Sequence, residues 1–246
     1  MNLVLLSPGE VDVTGTVHLD DLRARHVREV LRASAGQTIR VGLIDGPQGR
    51  ATVVAVGETA IDLICEFDAT TPERPAVDLL LAVPRPKVLR RLWSQLSAMG
   101  VGRIMLTNAA RVERNYFDTH WLSPATYEPL LIEGLQQARD TRMPVVTVHR
   151  EFRPFVEDEL PALAPATCRI VAHPQEASSI VDVVERHGHG RVVLAVGPEG
   201  GWNAFELERL DAVGFVRASM GRRILRTDTA CVAALAMAHE GLRSRG

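Results

Sequence analysis

The chain has 246 residues, 46% of them hydrophobic and 24% charged, and 28 Lys+Arg against 30 Asp+Glu give a formal net charge of −2. That length accommodates one large domain or two smaller ones with a sizeable core, and the near-neutral balance excludes a whole-protein field drawing in nucleic acid. Residues 1–70 carry 6 Arg against 10 Asp+Glu, while residues 71–246 carry 22 Lys+Arg against 20, so any nucleic-acid surface is a local patch.

Lys87 is the only lysine, a compositional bias that decides nothing about function by itself. Cys65, Cys168 and Cys231 are odd in number and lack CxxC spacing, so they read as small buried hydrophobes in a reducing compartment. Met1–Leu6 has no basic region and is cut short by Pro8-Gly9, which does not fit a signal peptide. No apolar run approaches transmembrane length, and a cytoplasmic protein without a membrane partner is expected.

In chain order, Leu19–Leu31 reads as a helix, with Leu22, Val27, Val30 and Leu31 at helical spacing between Arg23, Arg25, Arg28 and Arg32. Thr38–Ile44 and Arg50–Val56 are strand-like and flank Asp45-Gly46-Pro47-Gln48-Gly49, a hairpin signal, and Ile61–Phe67 is a third strand. Short strands with tight turns predict a small barrel or sandwich. Asp68–Pro75 is polar, carries prolines and has no periodicity. The domains are therefore placed at 1–70 and 77–246, with a linker at 71–76.

From Val77 the pattern alternates strand and helix, predicting a mainly parallel α/β sheet. Val77–Val83 is a continuous apolar strand; Leu89, Leu92, Trp93, Leu96 and Met99 share one helical face, and Gly100 ends that helix. Val101–Leu106 follows, and Ser123-Pro124 starts a helix that Leu130, Leu131, Leu135 and Ala138 carry inward. Val145–Val148 and Cys168–Ala172 are strands, and Ile180–Val184 sits in a helix. Arg191–Val196 is a buried strand, Asn203 with Glu206 forms a capping box, and Leu207 and Leu210 pack inward before Gly214. After the strand Phe215–Met220, the last helix is crowded with Ala230, Cys231, Ala233, Ala234, Ala236 and Ala238. Close packing or a subunit interface explains them.

Two loops stand where strands end and helices begin: Gly197-Pro198-Glu199-Gly200-Gly201, and Met220-Gly221-Arg222-Arg223-Ile224-Leu225-Arg226-Thr227-Asp228-Thr229-Ala230. In an open α/β sheet that is where a ligand binds, so the pair reads as two lips of one pocket. Neither GxxxxGK[ST] nor a strand-ending GxGxxG is present, which disfavours a P-loop or dinucleotide site. His-x-Glu and paired-Cys signatures are missing too, and His187 and His189 around Gly188 read as a surface turn, so no metal site is expected.

Glycine loop 197–201 with Glu206, followed by Met220-Gly221-x-x-Ile224-Leu225-Arg226-Thr227-Asp228-Thr229-Ala230, resembles the RsmE family, SPOUT-superfamily methyltransferases that modify N3 of a uridine in small-subunit (16S) ribosomal RNA. Similarity extends through Gln136-Gln137-Ala138-Arg139, the Ala98–Val101 turn, His26–Arg32 and Asp45-Gly46. The resemblance implies a PUA-like RNA-binding barrel over 1–70 and a SPOUT domain with a trefoil knot over 77–246. It also implies S-adenosylmethionine as cofactor, a homodimer, and small-subunit RNA or the assembled subunit as partner. The cofactor residues carried over are Ala172, His173, Pro174, Gly197, Pro198, Glu199, Gly200, Gly201, Met220, Gly221, Arg223, Ile224 and Leu225. The chain departs from the family at Asn2-Leu3-Val4, where an arginine and aromatics are usual, and at Ala98-Met99-Gly100 in place of Glu-Leu-Gly. Asp228 stands for a usual Glu, and Arg111–Tyr116 replaces a shorter serine–arginine pattern.

Methyl transfer to uracil N3 demands positioning and relief of the negative charge on O2 and O4 as the N3 proton leaves. Arg226 is the first candidate for that charge, with Arg222 and Arg223 as alternatives or phosphate clamps. Asp228 and Glu199 are candidate proton acceptors; helix capping by Asp228 and loop ordering by Glu199 compete with that role. The candidate RNA contacts are Arg28, Arg32, Arg111, Arg114, Arg139 and Arg222, against solvated helix faces and exposed loops as the plainer explanation. Two other functions fit the same residues: a SPOUT methylase acting on a ribose 2′-hydroxyl, and a non-catalytic RNA-binding assembly factor.

Overall fold

The computed structural model describes residues 3–166, 168–174 and 176–244, so Asn2, one of the residues departing from the family, lies outside the described residues. The chain divides into two units, one comprising residues up to Arg74 together with Ile132–Met143, the other Pro75–Leu131 and Pro144 onward.

The first unit holds a five-stranded sheet in the order β1 (Val4–Leu6), β3 (Thr38–Leu43), β4 (Gln48–Val56), β5 (Ile61–Phe67), β2 (Thr16–Leu19). β1 runs parallel to β3 and the remaining pairs are antiparallel. Alternation along a strand sends successive side chains to opposite faces. Val4 and Leu6 enter the main core with Val17, Val41, Val53, Ile61 and Leu63; Leu3 and Leu5 pack with Leu135 and Met143 on the other face. Burial on both faces explains the unbroken apolar run at the N-terminus. The β3–β4 turn places Asp45 at φ 56°, and the returning segment holds it: Asp45 N–H donates to Thr141 O at 2.8 Å and Thr141 Oγ1 to Gly46 O at 2.6 Å.

Helix α1 (Leu22–Glu29) is shorter than its periodicity suggests. Asp21 caps it by accepting from Arg23 N–H, and it buries Ala24 and Val27. Of the four apolar residues at helical spacing only Val27 is buried; Leu22 is exposed, and Val30 and Leu31, also exposed, lie beyond the helix end.

The second unit is a six-stranded, wholly parallel sheet in the order β11-β9-β10-β6-β7-β8. The strands are β6 (Val77–Ala82), β7 (Arg103–Thr107), β8 (Val145–His149), β9 (Cys168–Ala172), β10 (Val192–Val196) and β11 (Phe215–Ala218). β6 and β10, adjacent at the centre, are buried at every position, as strands covered on both faces must be. Helices α2 (Pro86–Ala98), α3 (Pro124–Ala138), α6 (Ile180–His187), α7 (Ala204–Ala212) and α8 (Thr227–Arg243) connect or close the strands. Between β8 and β9 the short helices α4 (Phe152–Pro154) and α5 (Leu160–Leu163) flank a π-helical turn, Phe155–Glu159.

Leu89, Leu92, Trp93 and Leu96 of α2 are buried, as their spacing predicts; Ala138 at the end of α3 is exposed, contrary to its inward assignment. In α8, Ala230, Cys231, Ala234, Ala238 and Gly241 are buried, and a Cβ on Gly241 would stand 2.8 Å from Val184 Cβ of α6. Small residues there serve helix contact inside the unit. All three cysteines are buried and free. Among the described residues no helix is long and apolar enough to cross a membrane and no acid, His or Cys cluster suits a metal.

Candidate functional site

The sheet grows from β6 in two directions, through β7 and β8 on one side and through β10, β9 and β11 on the other. In an open parallel sheet the loops at the carboxyl ends of the strands are where a ligand site forms. Three loops meet there around one cavity of about 400 Å³, within the range of small-molecule sites. From β9 come Ala172, His173 and Pro174; from β10 come Gly197, Pro198, Glu199, Gly200 and Gly201; from the β11 loop come Met220, Gly221, Arg223, Ile224 and Leu225. The whole carried-over set thus lines a single wall, though its members are up to 53 residues apart in the chain (172 to 225). Val196, Trp202, Thr227 and Ala230 complete the lining. The β9 and β11 loops are stitched together: His173 N–H donates to Ala218 O at 2.9 Å, Ser219 N–H to Ser178 O at 2.9 Å and Ile180 N–H to Ser219 O at 3.1 Å.

The β10 loop is a tight turn closed by Gly201 N–H to Pro198 O at 2.8 Å, with Gly201 at φ 74°, where a side chain would be strained. A Cβ at Gly197 would sit 3.1 Å from Trp202 Nε1, so the indole lies directly on that glycine. The loop then enters α7 through a reciprocal cap: Glu206 N–H donates to Asn203 Oδ1 and Asn203 N–H to Glu206 Oε2, both at 2.8 Å. Glu206 is 2% exposed, and its other oxygen accepts from Ala110 N–H at 2.6 Å. Its charge is satisfied by backbone donors and by the positive end of α7. Glu199 accepts from Arg85 N–H at 3.4 Å, an ordering role exerted on the β6–α2 loop in place of its own.

The β11 loop is freer. Gly221 has φ 103° and Ile224 is 89% exposed. Arg222, Arg223 and Arg226 are exposed, and among the described residues no carboxylate pairs with them. Arg226 is the N-cap residue of α8 and makes no side-chain cap; neither it nor Asp228 lines the cavity. Asp228 lies in the first turn of α8, accepts from Thr229 N–H at 2.9 Å and pairs with Arg91 Nη2 at 2.8 Å. The hydrogen bond from Arg91 holds its carboxyl below the usual carboxylate range, against the raising effect of burial.

The candidate RNA arginines scatter. Arg28 has Glu29 beside it at 3.6 Å, and Arg32 and Arg139 take left-handed backbone with φ 50° and 60°. Arg114 is exposed at the start of a 3₁₀ turn, and Arg222 stands on the cavity's outer loop. Arg111 turns back onto the glycine loop, donating from Nη1 to Gly200 O and, at 3.3 Å, to Gly201 O. Sequence reasoning missed Val196 and Trp202 as lining and Arg91 as the partner of Asp228; Thr227 and Ala230 lay in the loop read as the second lip but were not among the cofactor residues. A tryptophan immediately after Gly-Gly was the available signal for Trp202; nothing local marks Arg91, which reads as one arginine of a solvated face.

Comparison with known proteins accords with this architecture. The RNA methyltransferase domain family matches residues 72–239. Ribosomal RNA small subunit methyltransferase E of Treponema pallidum is 33% identical over 243 residues, spanning 96% of this chain and 90% of that one. The crystal structure of a ribosomal RNA small subunit methyltransferase E from Neisseria gonorrhoeae bound to S-adenosyl methionine is 25% identical with a TM-score of 0.75, covering 96% of this chain and 95% of that one. A probable rRNA-methyltransferase from Porphyromonas gingivalis, at 21% identity and TM-score 0.75 over 99% of this chain and 100% of that one, shares the fold. From the cavity-lining loops through the full-length similarity, the chain belongs to the RsmE family of ribosomal RNA small subunit methyltransferases.

Proposed function

We propose that this protein is an S-adenosylmethionine-dependent methyltransferase acting on N3 of a uridine in small-subunit (16S) ribosomal RNA. The observation that carries the reading is the convergence of the three loops on one cavity, in a chain similar along its length to a gonococcal relative described as bound to S-adenosyl methionine. The cavity's own chemistry fits that group. Its wall mixes apolar Val196, Leu225 and Ala230 with glycine backbone, and among the described residues buried Trp202 Nε1 and His173 Nδ1 have no hydrogen-bond partner. Glu176 Oε1 lies 3.4 Å from that His173 nitrogen, within ion-pair distance but not in hydrogen-bond geometry. Buried polar atoms left so on a cavity wall suit a polar ligand.

When bound, S-adenosylmethionine supplies an electrophilic methyl group on a sulfonium. The loops at 172–174, 197–201 and 220–225 hold it, with Gly197 leaving room for the Trp202 indole and Gly200 for the Arg111 side chain. Arg226, projecting from the start of α8, stabilises negative charge on the uracil oxygens, with Arg222 and Arg223 clamping RNA phosphate. Asp228, held acidic by Arg91, is a weak base and serves chiefly to fix the first turn of α8 from which Arg226 projects. Glu199, on the cavity wall, is then the better-placed proton acceptor.

The first unit acts as a PUA-like RNA-binding domain, with Arg28, Arg32 and Arg139 among its contacts; the short antiparallel strands and the exposed Arg32 and Arg139 support this. Arg114, exposed at the start of its 3₁₀ turn, extends the RNA surface in the second unit. Family membership further supports a trefoil knot at the cavity, a homodimer and a cytoplasmic site of action on RNA or on the assembled subunit. Nucleoside mass spectrometry of 16S rRNA from cells with and without the gene tests the activity. Loss of one N3-methyluridine is expected; loss of a 2′-O-methyl nucleoside instead would overturn the base-methylation reading.

A further inference from the structure

The loop after β7 is anchored at both sides of Arg111. Ala109 and Val112 are buried, Val112 N–H donates to Ala109 O at 3.0 Å, and Ala110 N–H is held at 2.6 Å by the buried carboxylate of Glu206. That carboxylate also caps α7, so one side chain fixes the β7 loop to the exit of the glycine loop. Arg111, carried between these anchors, reaches the carbonyls of Gly200 and Gly201 from outside, and its Cδ stands 2.8 Å from where a Gly200 Cβ would be. A charged donor on two successive carbonyls fixes the peptide planes of the turn whose opposite side lines the cavity.

Building on the cofactor reading, we infer that Arg111 is a positioning residue for the glycine loop, a strap anchored through Glu206 that sets cofactor affinity and is not primarily an RNA contact. An exposed arginine bound to backbone contributes little to global stability but much to local order. Its loss therefore acts on loop opening, and binding is weakened by the share of molecules with the loop misplaced.

The test compares wild type, Arg111→Ala and Arg111→Lys. In cofactor-free protein, hydrogen exchange of the Gly200–Trp202 amides is expected to quicken about tenfold in Arg111→Ala with the melting temperature unchanged. Calorimetry with S-adenosylmethionine should show Kd raised about tenfold, KM for S-adenosylmethionine rising in step, and kcat and KM for RNA changed by less than about twofold. Arg111→Lys, which retains the charge with a single donor head, should recover part of the affinity. Unchanged exchange, or unchanged cofactor affinity with a raised KM for RNA, overturns the inference. Failure of wild type itself to bind S-adenosylmethionine defeats the cofactor reading instead, and the exchange measurement still decides whether the strap exists.

Discussion

The loops after β10 and β11 both leave a parallel strand, both contain a glycine at positive φ and both run into a helix. Their restraints differ. The first is held by Arg111 from the β7 loop and by Glu206 at its exit, while Glu199 ties it to the β6 loop. The second carries three arginines that no carboxylate among the described residues pairs with, and an Ile224 that is 89% exposed. A loop fixed by neighbours on several sides is pre-organised, so little ordering cost remains when a ligand meets it. A loop rich in unpaired cations has its free energy of interaction still to gain, which is the condition of a surface awaiting polyanion. The pair teaches a division of labour: one lip for shape, the other for charge.

Substitutions in the two lips should therefore fail differently. The largest effect is expected at Gly200→Trp, which places a side chain where Arg111 already stands; calorimetry should show S-adenosylmethionine binding lost by more than about 100-fold. Normal affinity would remove the glycine loop from the pocket. Next, Arg226→Ala should lower kcat by about 100-fold with cofactor affinity unchanged, the signature of charge stabilisation confined to the reaction. Unchanged turnover on the RNA would end its catalytic assignment. Arg222→Ala should weaken RNA binding about tenfold at low salt and reduce the slope of log affinity against log salt by about 0.7; an unaltered slope would show that it meets no phosphate.

The smallest effect concerns the foot of the charged lip. Asp228→Asn should cost about 1 kcal/mol at neutral pH, because the part-exposed pair with Arg91 is lost while the first-turn hydrogen bond survives. The folded-state pKa is depressed, so this contribution is complete above the unfolded carboxylate value near 4 and disappears as pH falls through the folded value. Denaturation of wild type and variant across that range checks the sign: a gap that widens toward acid would contradict the pairing.

Much of the second unit was legible because its strands are continuous apolar runs and its helices carry strong punctuation. Pro86 and Gly100 bracket α2, Asn203 and Gly214 bracket α7, and each is tied to a local backbone requirement. The first unit was harder to read. β1 and β2 are only 3 and 4 residues long, and α1 buries Ala24 and Val27 while Leu22 at the same spacing lies exposed. The helical stretch between β8 and β9 escaped notice, since its π turn breaks the 3.6-residue period. The return of Ile132–Met143 to the first unit leaves no local trace, because α3 runs through the division without a break.

For the site, glycines, prolines and the helix cap announce themselves by backbone need, so the cavity's two lips could be named from residue order alone. Side-chain pairing could not. Ala110 N–H and the Glu206 carboxylate that holds it are separated by 96 positions, and Arg91 and Asp228 by 137, yet each pair meets through the order of strands in the sheet. Local chemistry depends on neighbours in the chain and is written there. Which arginine is left free for RNA, and which is spent on a carbonyl or a carboxylate, depends on distances that only the folded sheet sets.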